Sequence, residues 1–372
     1  MSLREEIRSQ LILNREIILQ GGVNCIPSPF NRFRQYFPGI RKGFYYVVTG
    51  ATKSSKTQFT NFLFVINSVF YQIQHPDQVK VTILYFPLEE TKEDIMLRIY
   101  AYIIAYITNN RILISPENLE SIDERFPLSQ EVLDIMDSDE FKAIADKFEE
   151  CITFYDDRNA TGIYKRVREY VEANGQCIYQ DKEVTYKDEF GQTKTETIKK
   201  FVKYVPNDPH EYVISITDHA GLLQEERGMT LKANIEKLSE YHILLRNNYG
   251  VIPVLVQQQN TETTNLDAFK ANKIRPTKDG LKDSKRPGED CTVLFGLTNP
   301  HAFELPQYLG YDIGQLKDTF RVLEIVLARK GRANGLCPMF FNGAVNQFSE
   351  LPLPTSHEIN RVYQYVHSLH QQ

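Results

Sequence analysis

The chain has no tryptophan, only five cysteines in 372 residues, and no excess of positive charge. Each shortage excludes something different. The cysteines (Cys25, Cys151, Cys177, Cys291 and Cys337) are odd in number and scattered, with no CxxC pair or Cys/His cluster. That pattern argues against structural zinc and fits reduced thiols in a cytosol. The formal net charge of −5 excludes a globally basic nucleic-acid binder, so any such surface must be local. No apolar run reaches bilayer-spanning length and no signal peptide opens the chain, so a cytoplasmic protein with no membrane partner is expected. The missing tryptophan excludes no function. What remains is an ordinary globular balance, 42% hydrophobic and 24% charged, in a chain long enough for a large core.

The stretch from Phe44 to Phe59 organises the rest. It opens as an apolar, β-branched and aromatic run with strand character and passes through a short loop of small and polar residues. Apolar side chains then recur at Phe59, Leu63, Ile66 and Phe70, which is helical spacing. Strand, tight loop and helix are the context in which backbone N–H groups and a lysine cradle phosphates. Gly50-Ala51-Thr52-Lys53-Ser54-Ser55-Lys56-Thr57 fits G-x-x-x-x-G-K-[ST] except at Ser55, where the pattern asks for a second glycine. A side chain there threatens the close approach of the loop backbone to a phosphate. The reading is nucleotide binding.

Around this stretch, strands and helices alternate. Ser2 and Glu5 form the signature of a capping box for a first helix that ends at Gly21-Gly22. Strands are expected over Val79–Phe86, Ile152–Tyr155, Tyr212–Thr217, Ile252–Val256, Thr292–Leu297 and Val322–Ala328, with a short apolar piece at Met339–Phe341. Helices are expected near 92–106, 162–171 and 231–248, with a last one beginning near Ser356. The acidic stretch 131–150 reads as a solvated helical face, and 260–290 as a mobile polar loop. Cys177–Val205 breaks the rhythm and reads as a long inserted β-hairpin, an arm able to touch a partner or nucleic acid. The alternation implies an α/β fold with a mostly parallel central sheet flanked by helices. One large domain over 23–372, preceded by a linker-type helix over 1–22, is the economical organisation.

Ligands of such sheets bind at the carboxyl ends of the strands, and those ends carry the chemistry of nucleoside triphosphate hydrolysis. Lys56 can reach the β- and γ-phosphates of ATP, and Thr57 can ligate Mg²⁺. Asp218 ends the apolar run Val213–Thr217 as a second magnesium-side acid, and Glu89 ends another strand as the candidate water-activating base.

These residues, in this order, resemble the RecA-like ATPase domain of DnaB-type replicative helicases. Ile26-Pro27 is similar to that family's linker entry, and Pro87-Leu88-Glu89-Glu90-Thr91 to its S-L-E-M-S segment. Pro253–Gln259 resembles the strand ending in its phosphate-sensing glutamine, a role the resemblance places on Gln259, with Gln258 as the alternative. Arg275-Pro276 through Leu281-Lys282-Asp283-Ser284 resembles the family's single-strand-binding segment. Ala328–Arg332 resembles the element in which a lysine and an arginine finger reach a neighbour's γ-phosphate; Lys330 and Arg332 match best, and Arg329 is then an extra residue. The resemblance implies a hexameric ring around single-stranded DNA, with primase or a loader as further partners. Three features depart from it: Ser55, the hairpin, and the family's N-terminal helical domain, represented here only by the helix before Gly21.

Lys270, Lys273, Arg275, Lys278, Lys282, Lys285 and Arg286 form the clearest basic cluster, with Asp279 and Asp283 opposing. Its neighbourhood makes it the candidate nucleic-acid contact. Three readings stand: an ATP-driven helicase, a RecA-like ATPase that binds DNA without unwinding it, and a scaffold whose nucleotide site is degenerate.

Overall fold

The structure is a computed structural model and describes residues 2–187, 189–260 and 274–369. Its centre is a nine-stranded sheet. In chain order the strands are β1 (Tyr46–Gly50), β2 (Lys80–Pro87), β3 (Ile152–Phe154), β4 (Glu211–Asp218), β5 (Ile252–Gln258), β6 (Val293–Thr298), β7 (Phe320–Ala328), β8 (Leu336–Asn342) and β9 (Gln347–Glu350). Across the sheet the order is β9-β8-β7-β6-β1-β5-β4-β2-β3. The six strands from β6 to β3 pair in parallel, while β7, β8 and β9 add antiparallel neighbours on one side. The expected mostly parallel sheet is therefore present.

β1 lies between β5 and β6, and all five of its residues are buried. Tyr46 and Val48 face one layer, Tyr45 and Val47 the other, so a continuous apolar run is what a strand covered on both faces requires. The first layer holds the helical run after the P-loop and the helices Lys92–Ile107 and Asp139–Cys151. The second holds Ala160–Ala173 and Leu231–Tyr249. The C-terminal helix Glu358–Leu369 packs Ile359 and Val366 against Phe320, Val322 and Phe340 at the antiparallel end.

Three expectations change. The acidic stretch splits at Ser138 into two helices, Gln130–Asp137 and Asp139–Cys151, and the second buries Phe141, Ala145 and Phe148, so one of its faces is core. The described part of the polar loop, 274–290, is anchored: Ile274, Leu281 and Ser284 are buried and Arg286–Asp290 is a helical turn. The edge strand β9 has no counterpart among the expected elements.

The hairpin forms as two antiparallel strands, Gly175–Lys187 and Thr193–Pro206. The N-terminal helix Leu3–Leu19 has the capping box between Ser2 and Glu5 and buries none of its residues. Leu3, Ile7, Leu11 and Ile18 are all more than half exposed.

Candidate functional site

The loop after β1 turns back on itself through two residues in the left-handed region, Lys53 at φ 63° and Ser55 at φ 66°. Alternation of this kind points successive backbone N–H groups into one concavity, an anion-binding nest. Gly50 is required at its start: a Cβ there would lie 2.4 Å from Ser54 Oγ and 2.5 Å from the Leu297 carbonyl oxygen. Ser55 adopts the conformation glycine would have taken, and its side chain turns aside to accept a hydrogen bond from Arg321 Nε at 3.2 Å. The helical run begins at Lys56 (Lys56–Thr60), passes through a π turn (Asn61–Ile66) and continues over Asn67–Gln74.

Lys56 is buried, and its Nζ donates to the Ala51 carbonyl at 3.0 Å. Burial lowers its pKa to about 8, against the pull of Asp218 and Glu89. Asp218, at the carboxyl end of β4, is raised to about 7. Burial is the largest cause, with repulsion from Glu90 and Glu89 adding to it. A hydrogen bond from Thr57 and the charge of Lys56 work in the other direction. Asp218 Oδ1 is buried with no partner. An orphaned acidic oxygen beside a threonine hydroxyl is the donor set a hard cation takes, so these residues fit Mg²⁺. Among the described residues no cluster of three His, Cys, Asp or Glu forms a cage of its own, as expected where nucleotide oxygens and waters complete the shell.

Glu89 and Glu90 differ in what holds them. Glu90 pairs with Arg98 at 2.8 Å, and burial raises its pKa. The Glu89 side chain is 54% exposed and meets only His219, whose Nε2 lies 3.4 Å away. His219 Nδ1 accepts from the Gly221 N–H at 3.2 Å, which leaves the proton of the neutral ring on Nε2, facing the carboxylate. Burial lowers the pKa of this histidine. Sequence reasoning passed over His219, although its place directly after Asp218 at a strand's carboxyl end was a signal.

The glutamines divide by strand alternation. Gln259 is buried: its amide donates to Thr49 Oγ1 and to the Thr277 carbonyl, both at 3.0 Å, and accepts from the Thr277 N–H. It clamps the following loop onto β1. Gln258 is half-buried and lines a cavity of about 240 Å³ with His219 and Lys282.

A larger cavity of about 1210 Å³ opens beside the P-loop, lined by Lys53, Ser55, Asn299, Arg321 and Phe341 among others. Arg321, also missed in the sequence, is buried. Its guanidinium donates to the Asp318 and Phe320 carbonyls at 2.6 and 2.9 Å and lies 4.9 Å over the Phe341 ring. Its signal was a charge at the start of an apolar strand.

Among solved structures, the chain is similar to the ATPase domain of a DnaB-like helicase, at 13% identity and a TM-score of 0.61. That match covers 93% of this chain and 99% of the other. It is similar at the same identity and TM-score to a DnaB-like replicative helicase solved for its interactions with primase. Here 92% of this chain and 66% of the other are covered. The fold is that of a DnaB-type, RecA-like ATPase domain. No protein-family model matches the sequence, and no curated protein matches it.

On this RecA-like frame the remaining site residues fall at three places. Lys330 Nζ sits 5.6 Å over the Phe44 ring, at the amino end of β1. The P-loop lies at the carboxyl end, on the order of 17 Å away for five strand residues. Arg332 is exposed nearby and makes no ion pair among the described residues. Arg329 is anchored instead, donating to the carbonyls of Cys291 and Glu289. Lys330 and Arg332 therefore lie away from their own chain's P-loop.

The basic cluster is less free than its sequence suggests. Arg275 forms a two-point ion pair with Glu324, Arg286 pairs with Asp290 at 2.8 Å, and Lys285 lies 3.7 Å from Asp279. Glu324 and Asp290 had not been counted against the cluster. Lys282 is exposed and lines the cavity beside His219, and Lys278 is half-buried. Lys270 and Lys273 lie outside the described residues. No helix among the described residues is long and apolar enough to cross a membrane.

Proposed function

We propose that this chain is an ATP-driven motor of the DnaB type acting on single-stranded DNA. One observation carries the reading: Lys56, the Thr57–Asp218 hydrogen bond and Glu89 converge at the carboxyl edge of the sheet. The nest and Lys56 bind the phosphates, the N–H groups through their dipoles and the lysine as a point charge. Thr57 and Asp218 hold Mg²⁺, which when bound with the nucleotide neutralises charge developing on the phosphates. Glu89 takes the proton of the attacking water, and the Nε2–H of His219 fixes the direction of its carboxylate. Gln258, rather than the clamped Gln259, is the glutamine placed to sense the γ-phosphate and pass that state to Lys282.

The distance of Lys330 and Arg332 from their own P-loop supports a site completed by a second copy, in a ring of which six subunits is the family's form. The exposed apolar stripe of the N-terminal helix supports the same assembly. Contact with a primase or loader rests on the resemblance alone.

The test uses purified full-length protein with ATP and Mg²⁺. Single-stranded DNA should accelerate hydrolysis, and a forked duplex should be separated; Lys56→Ala should do neither. Hydrolysis without DNA stimulation or strand separation would remove the motor reading, and absence of hydrolysis would remove the enzyme.

A further inference from the structure

The hairpin arm leaves the body at the pole opposite the P-loop, between the end of helix Ala160–Ala173 and the amino end of β4. Its root is fixed. Tyr204 Oη donates to the Val171 carbonyl at 2.9 Å, and the rings of Phe201 and Tyr204 pack on Tyr249 at 5.9 and 5.4 Å. Beyond the root both strands are solvent-exposed, with no buried residue in either.

The pairing register sorts the charges. Tyr179 faces Phe201, Asp181 faces Lys199 and Glu183 faces Thr197, and these share the side that packs on the body. The other side pairs Ile178 with Lys203, Gln180 with Lys200, Lys182 with Ile198, Val184 with Glu196 and Tyr186 with Lys194. It presents Lys182, Lys194, Lys200 and Lys203 against one acid, Glu196. The body-facing side is balanced, with Lys187 and Lys199 against Asp181 and Glu183. Lys182, Lys200 and Lys203 make no ion pair among the described residues. Lysines on free strand edges do guard against aggregation. That need is the same for both faces and does not account for charge gathered on one of them. In a chain of net charge −5, a face with four cations and one anion is complementary to a polyanion.

We infer that this face of the arm is a duplex-DNA contact that grips the backbone without reading sequence. A two-stranded ribbon fits the major groove of B-DNA. From Lys203 to Lys194 the lysines extend over about 26 Å of ribbon at roughly 3.3 Å per residue, most of one helical turn of about 34–36 Å. Ile178, Val184 and Ile198, between them, would meet sugars and base edges. The inference rests on the proposed action on DNA only in choosing nucleic acid, and not an acidic protein, as the anion.

The test needs no nucleotide. Binding of the full-length protein to a blunt duplex of about 30 base pairs, roughly three helical turns, is followed by fluorescence anisotropy across a salt series. The triple variant Lys182→Gln, Lys200→Gln, Lys203→Gln should bind at least about tenfold more weakly at low salt. Its log–log salt slope should be shallower by about 2–3, near one unit per lost phosphate contact. The body-side variant Lys187→Gln, Lys199→Gln should behave as wild type. An unchanged affinity and slope in the triple variant, or an equal loss in the body-side variant, would overturn the inference. So would binding of poly-glutamate as tight as duplex and equally lost in the triple variant, which would assign the face to an acidic protein. Because ATP is absent, the expected result can stand even where hydrolysis is not found, and the two failures are told apart.

Discussion

Ser55 Oγ accepts a hydrogen bond from Arg321 Nε across 266 residues of chain. The serine stands where a P-loop glycine is expected, holds φ 66°, and its side chain points to the buried guanidinium instead of into the phosphate nest. Left-handed backbone at a non-glycine residue costs about 1–2 kcal/mol, and a hydrogen bond from a charged donor contributes about 1.5–3 kcal/mol. Ser55→Ala keeps the strain and loses the bond, so it should destabilise by about 1.5–3 kcal/mol. Ser55→Gly loses both and should fall between. Chemical denaturation should rank Ser, Gly and Ala in that order of stability; an alanine variant as stable as wild type would deny the bond any weight.

Asp218 makes stability depend on pH. Burial raises its pKa from 3.8 to about 7, so the folded chain holds this proton more tightly than the unfolded chain does. The contribution is fully present below about pH 4 and is lost as pH rises through about 7. Asp218→Asn removes the charge and keeps an acceptor for Thr57. In nucleotide-free protein it should stabilise by about 1–4 kcal/mol at pH 8, with the gain vanishing toward pH 4. A melting-temperature difference that does not change with pH would show that burial of this carboxylate is compensated elsewhere.

The two neighbouring glutamates should separate cleanly. Glu89→Gln should lower ATP turnover by about two to four orders of magnitude with nucleotide binding retained. Glu90→Gln breaks the pair with Arg98 and should lower stability with a much smaller effect on turnover. Steady-state hydrolysis beside nucleotide-binding titrations distinguishes them, and the reverse pattern would move the base to Glu90.

Arg275 and Lys282, neighbours in one basic segment, should also part. Arg275 is held by Glu324, half in solvent, so Arg275→Ala should destabilise by about 1–2 kcal/mol and leave the affinity for single-stranded DNA close to wild type. Lys282→Ala should weaken that affinity and reduce the salt slope by about 0.7, the value for one single-strand phosphate contact. Equal losses of DNA affinity in both variants would return Arg275 to the DNA surface.

Much of this architecture could be read from the chain because periodicity encodes it. β1, β4 and β5 are apolar runs covered on both faces, and the helices between them carry apolar stripes. The hairpin showed itself by alternation around Gly191. What could not be read depends on partners distant in sequence. Glu324 and Asp290 neutralise Arg275 and Arg286 only once β7 and the turn 286–290 are folded together. Arg321 looked like a surface charge until Asp318, Ser55 and Phe341 enclosed it. Counting from Pro253 singles out Gln259, whereas strand alternation and the clamp from Thr49 and Thr277 leave Gln258 facing the cavity. The acidic helix 139–151 hid its buried face because charges outnumber the three core residues it contributes.

The central claim is a hydrolytic site completed by a neighbouring copy, and mixing two inactive proteins tests it most directly. Glu89→Gln retains Arg332, and Arg332→Ala retains Glu89. Each alone should hydrolyse ATP at a small fraction of the wild-type rate. Combined in equal amounts with single-stranded DNA, they should recover a measurable part of it, because an intact base and an intact finger meet at some interfaces. No recovery, in a mixture where labelled subunits are seen to exchange, would contradict the claim.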